Sequence, residues 1–279
     1  MRSKRPVCLF LSFMLFGLGT AGAQAAPNLA AHRAVYDLTL GEASDRSGID
    51  DIEGRMVYEF AGSACEGYTT TFRFVMRLET SETSRLSDQQ TTTYEDGKGE
   101  VYQFVNKIYL DNVLDKEVKG IARLEDETTR VELSKPERRR ETLEATRFPV
   151  KHLEELIEKA REGGGFYQTT LFDGSEDADR MMLTSVTIGK QQTAPAAGDG
   201  ETKAAGALDK EPFWPVSIAY FDPATTTGET LPEYQISFLL YDSGITRSLD
   251  MDYGEFSIRG KLVDLTMFDE DQAKDDCSR

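Results

Sequence analysis

Alternation with a period of two runs through most of the chain. Tyr68, Thr70, Phe72, Phe74, Met76 and Leu78 share one parity, while Thr69, Thr71, Arg73, Arg77 and Glu79 take the other, with Val75 the single apolar intruder. Successive side chains of a strand point to opposite faces, so this pattern predicts a half-buried strand. His32, Ala34, Tyr36, Leu38 and Leu40 oppose Arg33, Asp37 and Thr39 in the same way, and Ile52, Gly54, Met56, Tyr58 and Phe60 oppose Glu53, Arg55 and Glu59. The rhythm predicts further strands near 89–95, 101–110, 116–124 and 128–133, then 166–172, 181–189, 214–221, 234–241, 245–251 and 256–267. That makes about thirteen or fourteen strands. Asp96-Gly97, Asp173-Gly174, Asp242-Ser243-Gly244 and Tyr253-Gly254 are turn signals between them. Turns this short imply antiparallel neighbours in a meander.

One segment keeps a different period. Leu153, Leu156, Ile157 and Ala160 form an apolar stripe at helical spacing, Pro149 suits the first helical position, and Gly163-Gly164-Gly165 ends the run. A lone amphipathic helix among strands is expected to plug the open side of a curled sheet. The expected fold is therefore mainly all-β: a long antiparallel sheet curled into an open cup or spiral, with one central helix. Gln191 to Asp209 is rich in Ala, Gly, Thr and Lys, and is expected to be a mobile surface loop within a single domain over 26–279. The rival arrangement is two packed β-domains divided between Pro136 and Pro149.

The N-terminus adds an address. Arg2, Lys4 and Arg5 precede an apolar run from Val7 to Leu18, and Ala21, Gly22, Ala23, Gln24 and Ala25 follow. This order predicts a signal peptide over 1–25, cleaved after Ala25 or Ala23, and hence a periplasmic protein of a Gram-negative-type bacterium. The run is too short for a good membrane span, so no integral membrane protein is expected. Cys8 leaves with the leader. The two remaining cysteines, Cys65 and Cys277, make an even count in an oxidising compartment, which suggests one disulfide. Closing so long a loop is worth roughly 5 kcal/mol in the chain-entropy picture. The chain carries 32 basic and 49 acidic residues, and loss of the leader's Arg2, Lys4 and Arg5 takes the net charge from −17 to −20. An acidic surface repels nucleic acid and anionic lipid headgroups.

Candidate chemistry is sparse. His32 and His152 are the two histidines, and each reads first as a structural side chain, second as a general base. There is no Gly-x-Ser-x-Gly elbow, no Cys-x-x-Cys and no phosphate-cradling glycine loop before a helix. Asp173-Gly174-Ser175-Glu176-Asp177-Ala178-Asp179 spaces oxygen ligands as a calcium loop does, but Ala178 stands where glycine is needed and Thr184 where a bidentate glutamate belongs. An acidic hairpin turn is the plainer reading, and no metal or cofactor is expected. Lys135-Pro136-Glu137-Arg138-Arg139-Arg140 is a basic cluster in an acidic protein, either an exposed turn or a dock for an anionic partner. Phe213, Trp214 and Tyr220 form an aromatic strand which, with His152, is a candidate groove lining.

Arg147-Phe148-Pro149-Val150-Lys151-His152, then Leu156-Ile157 and the glycines, resemble the central helix of the cell-envelope integrity protein EipB family. Phe172-Asp173-Gly174-Ser175 is similar to that family's next hairpin turn, and the run from Leu240 to Phe256 is similar to its last strands. Cys65 and Cys277 match its disulfide positions. The resemblance implies a periplasmic β-spiral that keeps the envelope intact under stress, and it brings no catalytic residues. Three readings of function follow: a non-enzymatic envelope-maintenance protein acting through an envelope or periplasmic protein partner; a carrier holding a lipid, lipoprotein acyl chain or peptide in the cup; and, last, a hydrolase built on His152 or an acidic pair.

Overall fold

The computed structural model describes residues 27–193, 200–224 and 231–268. The leader expected over 1–25 and Cys277 lie outside them. The strands are β1 (His32–Ala43), β2 (Ile49–Ser63), β3 (Gly67–Thr80), β4 (Ser84–Glu95), β5 (Val101–Leu110), β6 (Val113–Glu125), β7 (Thr128–Lys135), β8 (Arg139–Glu144), β9 (Gly165–Leu171), β10 (Met182–Ile188), β11 (Phe213–Phe221), β12 (Tyr234–Tyr241), β13 (Thr246–Asp252) and β14 (Phe256–Met267). Helix α1 (Pro149–Arg161) separates β8 from β9, and a short helix α2 (Thr202–Ala205) lies between β10 and β11.

All fourteen strands form one antiparallel sheet in the order β8-β7-β6-β5-β4-β3-β2-β1-β14-β13-β12-β11-β10-β9. The first and last strands are therefore neighbours in the middle, and the edges are made by the middle of the chain. Those edges meet at one point. Beyond β8, the Arg147 amide donates to the Thr170 carbonyl and the Phe172 amide donates to the Arg147 carbonyl. This parallel bridge between Arg147 and Leu171 curls the sheet without closing it.

Two expectations need correction. Of the basic cluster Lys135–Arg140, residues 136–138 form the turn, while Arg139 and Arg140 begin a strand, β8 (Arg139–Glu144), that the sequence reading lacked. Its side chains are Arg, Arg, Glu, Thr, Leu and Glu, so apolar alternation is missing; charge of this kind is how edge strands are blunted. The Gln191–Asp209 stretch is not simply a mobile surface loop. Residues 202–205 form α2, Gly206–Lys210 form a 3-10 turn, and Ala205 and Leu208 are buried. Glu201, also buried, accepts hydrogen bonds from the Ser248 and Leu262 amides and the Ser248 hydroxyl. Asp209 pairs at 3.0 Å with Arg247, which is 0% exposed. A buried guanidinium needs such a partner.

The apolar stripe of α1 meets the concave side. Leu156, Ile157 and Ala160 pack in one cluster with Phe60 and Tyr68 from β2 and β3 and with Val186, Trp214 and Val216 from β10 and β11. Two more clusters fill the rest, one around Tyr36, Leu38, Phe213, Tyr241 and Leu262, the other around Tyr102, Phe104, Val131, Phe148 and Phe172. In the latter, Phe148 stacks on Tyr102 at 5.3 Å, and Phe172 meets Phe104 edge-on at 5.7 Å. These rings join β5 to both ends of the α1–β9 unit.

Phe148→Ala is expected to cost about 3–5 kcal/mol and Phe148→Leu under about 2, because the alanine leaves a cavity between rings that cannot collapse. Urea unfolding monitored by circular dichroism gives both values; a cost below about 1 kcal/mol for the alanine would remove the clamp.

Candidate functional site

The inward row of β4 runs Ser87, Gln89, Thr91, Thr93, Glu95, opposite Tyr68, Thr70, Phe72, Phe74 and Met76 of β3. It ends in a carboxylate, and that carboxylate starts the helix. The residue before α1 is Phe148, which has no oxygen to cap with, and Pro149 has no N–H. The Val150 and Lys151 amides donate to Glu95 Oε2 and Oε1 at 2.7 and 2.9 Å. The His152 amide takes the Phe148 carbonyl as the first intrahelical bond. Every donor of the first turn is thus satisfied, and a carboxyl group sits at the positive end of the helix.

Glu95 is 1% exposed, and burial pushes its carboxyl up to about 7, against the pull of the two amides. The neighbouring Glu154 carboxylate pushes the same way.

Beside this cap lies a cleft of about 240 Å³. Tyr58, Phe60, Phe72 and Tyr102 give it aromatic walls, Gln89 and Thr91 a polar floor, and Pro149, Val150 and Leu153 of α1 a lid. Its far wall is the Asp173–Asp179 loop. Tyr102 Oη donates to the Asp173 carbonyl at 3.0 Å, and Asn106 Nδ2 to the Gly174 carbonyl at 2.6 Å. Lys116 Nζ pairs with Asp177 at 2.9 Å and holds that carboxyl below its ordinary value, while Arg139 donates to the Asp177 carbonyl. Gly174 has φ +67°, and a Cβ there would lie 2.6 Å from the Phe104 ring. The loop expected as an acidic hairpin turn keeps Ser175, Glu176, Asp177 and Asp179 exposed, and is tied to β5, β6 and β8 by Tyr102, Asn106, Lys116 and Arg139.

The residues singled out from the sequence do not converge. Phe213 and Tyr220 are core side chains, Tyr220 stacking on Tyr234 at 4.4 Å. Trp214, 5% exposed, borders a separate hollow next to the Arg161–Asp242 ion pair. His152 is buried, its Nε2 3.3 Å from the Thr184 hydroxyl. That hydroxyl donates to the Thr169 carbonyl, so its oxygen accepts and the imidazole proton sits on Nε2. Burial lowers His152 to about 4. His32 lies against the Tyr58 and Phe60 rings, with Nδ1 2.7 Å from the Ala30 carbonyl, and burial lowers its pKa too. The Thr184 hydroxyl beside His152 is fully buried and commits its proton to a backbone carbonyl, and His32 meets a carbonyl and two aromatic rings. Among the described residues, no three His, Cys, Asp or Glu side chains are grouped to hold a metal, and no helix is long and apolar enough to cross a membrane. Cys65 lies in the β2–β3 turn. Glu95 was missed from sequence; the available signal was a carboxylate on the inward parity of a strand.

A family model described as EipB-like matches residues 23–269. The chain is 54% identical over 269 residues to the cell envelope integrity protein EipB of Brucella abortus (strain 2308), covering 96% of this chain and 95% of that one. A crystal structure of a beta-barrel-like protein of a domain of unknown function, also from Brucella abortus, superposes with a TM-score of 0.84 at 55% identity, covering 88% of this chain and 100% of that chain.

Glu95 gives stability a signature in pH. Its folded pKa is raised from an ordinary 4.5 to about 7, so the native state prefers the protonated form. That contribution is fully present below the unfolded value and is lost as pH rises through about 7. The stability of wild type relative to Glu95→Gln should therefore widen by roughly 2–3 kcal/mol from pH 7.5 to pH 5. His152, lowered to about 4, works in the opposite sense as pH falls below 6.5, but it is common to both proteins and cancels. Urea midpoints at the two pH values measure the gap; a constant gap would mean that Glu95 stays ionised.

Proposed function

The chain belongs to the EipB-like family, and we propose that it maintains the integrity of the bacterial cell envelope from the periplasm, by binding a protein partner and without catalysing a reaction. The curated relative is named for envelope integrity, which supports the role as a family analogy. The export-type N-terminus supports the compartment. The Cys65–Cys277 disulfide, proposed on the parity of the cysteine count and the family resemblance, would clasp the β2–β3 turn to the chain's end.

The observation that carries the binding reading is how full the cup is. Helix α1 and the Asp173–Asp179 strut sit in it, and the cleft between them holds about 240 Å³. Pockets for small ligands usually run from about 300 to 1,000 Å³. A filled cup is a scaffold that presents its rims and outer face. Buried, hydrogen-bonded histidines support the non-enzymatic part, since a general base must reach its substrate. The second reading, a carrier for a lipid, lipoprotein acyl chain or peptide, draws on one feature: Phe72, Phe74, Met76 and Leu78 of β3 stay only half-buried. Native mass spectrometry of gently purified protein separates the two, since a co-purifying lipid favours the carrier.

A strain lacking the protein should become sensitive to detergents and to cell-wall antibiotics. Folded His32→Ala and His152→Ala variants should restore resistance, and Cys65→Ser should restore it poorly because the clasp is gone. If a folded His152→Ala fails while Cys65→Ser restores fully, the binding reading gives way to catalysis.

A further inference from the structure

The sheet ends in two strands of opposite character. Edge strand β8 carries Arg139, Arg140, Glu141 and Glu144, charges that discourage a further strand from pairing with it. The other edge, β9, reads Gly-Phe-Tyr-Gln-Thr-Thr-Leu, with neither a charge nor a proline. The Thr170 carbonyl accepts from the Arg147 amide across this edge. Residues two and four before it, Gln168 and Phe166, therefore turn their N–H and C=O groups the same way, off β10. Past the bridge β8 draws away: the Thr170 hydroxyl reaches the Ala145 carbonyl at 3.3 Å, and no ladder joins β8 to β9. Among the described residues, the Phe166 and Gln168 backbone groups have no hydrogen-bond partner on that side. At the far end the Gly164 amide turns back to the Lys159 carbonyl. The free stretch of edge is thus 165–169.

The side chains beside the edge match it. Phe166 is 68% exposed, a ring left in solvent at the start of the strand. Gln168 and Thr170 follow it on the outer face, and Thr187, Ser185 and Leu183 of β10 lie opposite the three. No outward position of β9, β10, β11 or β12 is charged, on a chain in which 29% of residues are. A charged side chain laid here would lose water and gain no partner. Nearby charges answer one another, Arg147 with Glu155 and Lys159 with Glu162. We propose that the free edge of β9 takes an added strand, an extended and uncharged segment of a protein partner with an apolar side chain to lie on Phe166. Two amides and two carbonyls at strand spacing call for main chain, which a lipid lacks. A second copy of this chain fits less well: about five residues of edge run roughly 17 Å, whereas a stable dimer covers about 800 Å² on each partner. An unblunted edge invites aggregation, so leaving one beside a blunted one is a liability that a bound strand removes. Such a site rests on the protein-binding role proposed above and adds where the partner is held.

The probe is a fluorescent peptide, Gly-Ser-Thr-Val-Thr-Val-Thr-Ser-Gly, titrated with the full mature protein and followed by anisotropy. Saturable binding is expected, and a peptide N-methylated at each Thr and Val should bind at least about tenfold more weakly. Gln168→Pro removes an outward N–H that is not in the β10 ladder. It should therefore keep the thermal midpoint within about 3 °C while binding falls at least about tenfold. Tyr167→Pro, whose amide faces β10, should lower the midpoint sharply. Gln235→Lys, on the same uncharged face but in β12, should alter binding by less than about twofold. In cells, folded Gln168→Pro should fail to restore detergent resistance to a strain lacking the protein. Absence of saturable binding overturns the edge site. So does undiminished binding by Gln168→Pro or by the N-methylated peptide, or full rescue of the strain by Gln168→Pro. Sedimentation as a dimer that Gln168→Pro dissolves would give the edge to a second copy and overturn the partner. A deletion strain that stays resistant would instead remove the envelope role, and the peptide titration would still decide the edge.

Discussion

The two carboxylate oxygens of Glu95 and the two amides of Val150 and Lys151 hold the architecture at its centre. Glu95 ends β4, in the half of the sheet made before the helix; α1 then leads into the half made after it. The helix cannot start itself, since Phe148 offers no cap and Pro149 no N–H. Its first turn is completed only when the opposite wall supplies two acceptor oxygens. That requirement fixes where the helix lies in the cup, and with it the face that Leu156, Ile157 and Ala160 offer to β10 and β11. The desolvation of Glu95 is the cost of the arrangement, and the helix dipole with two N–H donors offsets part of it.

Charge closes the structure elsewhere too. The Asp173–Asp179 loop is braced inside by Lys116 and Arg139, and the 201–210 segment is drawn in by Arg247. In both, an acidic connection that would be solvated on its own is folded against the sheet by a cation already placed there. A sheet with two edges that meet at a single bridge gains from such struts, because backbone pairing alone does not hold the curl.

On the concave side, acidic connections meet cations carried by the strands. On the outer positions of β6–β8 and in their turns, cations and acids are interleaved instead, as on a solvated edge.

Strand parity, the antiparallel meander and the helix at Pro149 were all legible in the chain itself, because period-two and helical spacing are local consequences of backbone geometry and the burial of one face. Strand β8 was not, since an edge strand needs no apolar row and reads as a charged turn. Nor were the roles of Glu95, Arg247 and the 201–210 segment. A buried charge is written in the same letters as a solvated one, and only the distant partner that desolvates and neutralises it decides which it is. The cleft was invisible for the same reason: Tyr58, Phe72 and Tyr102 follow the core rhythm of their own strands, and the space left between them depends on where α1 and the acidic loop come to rest.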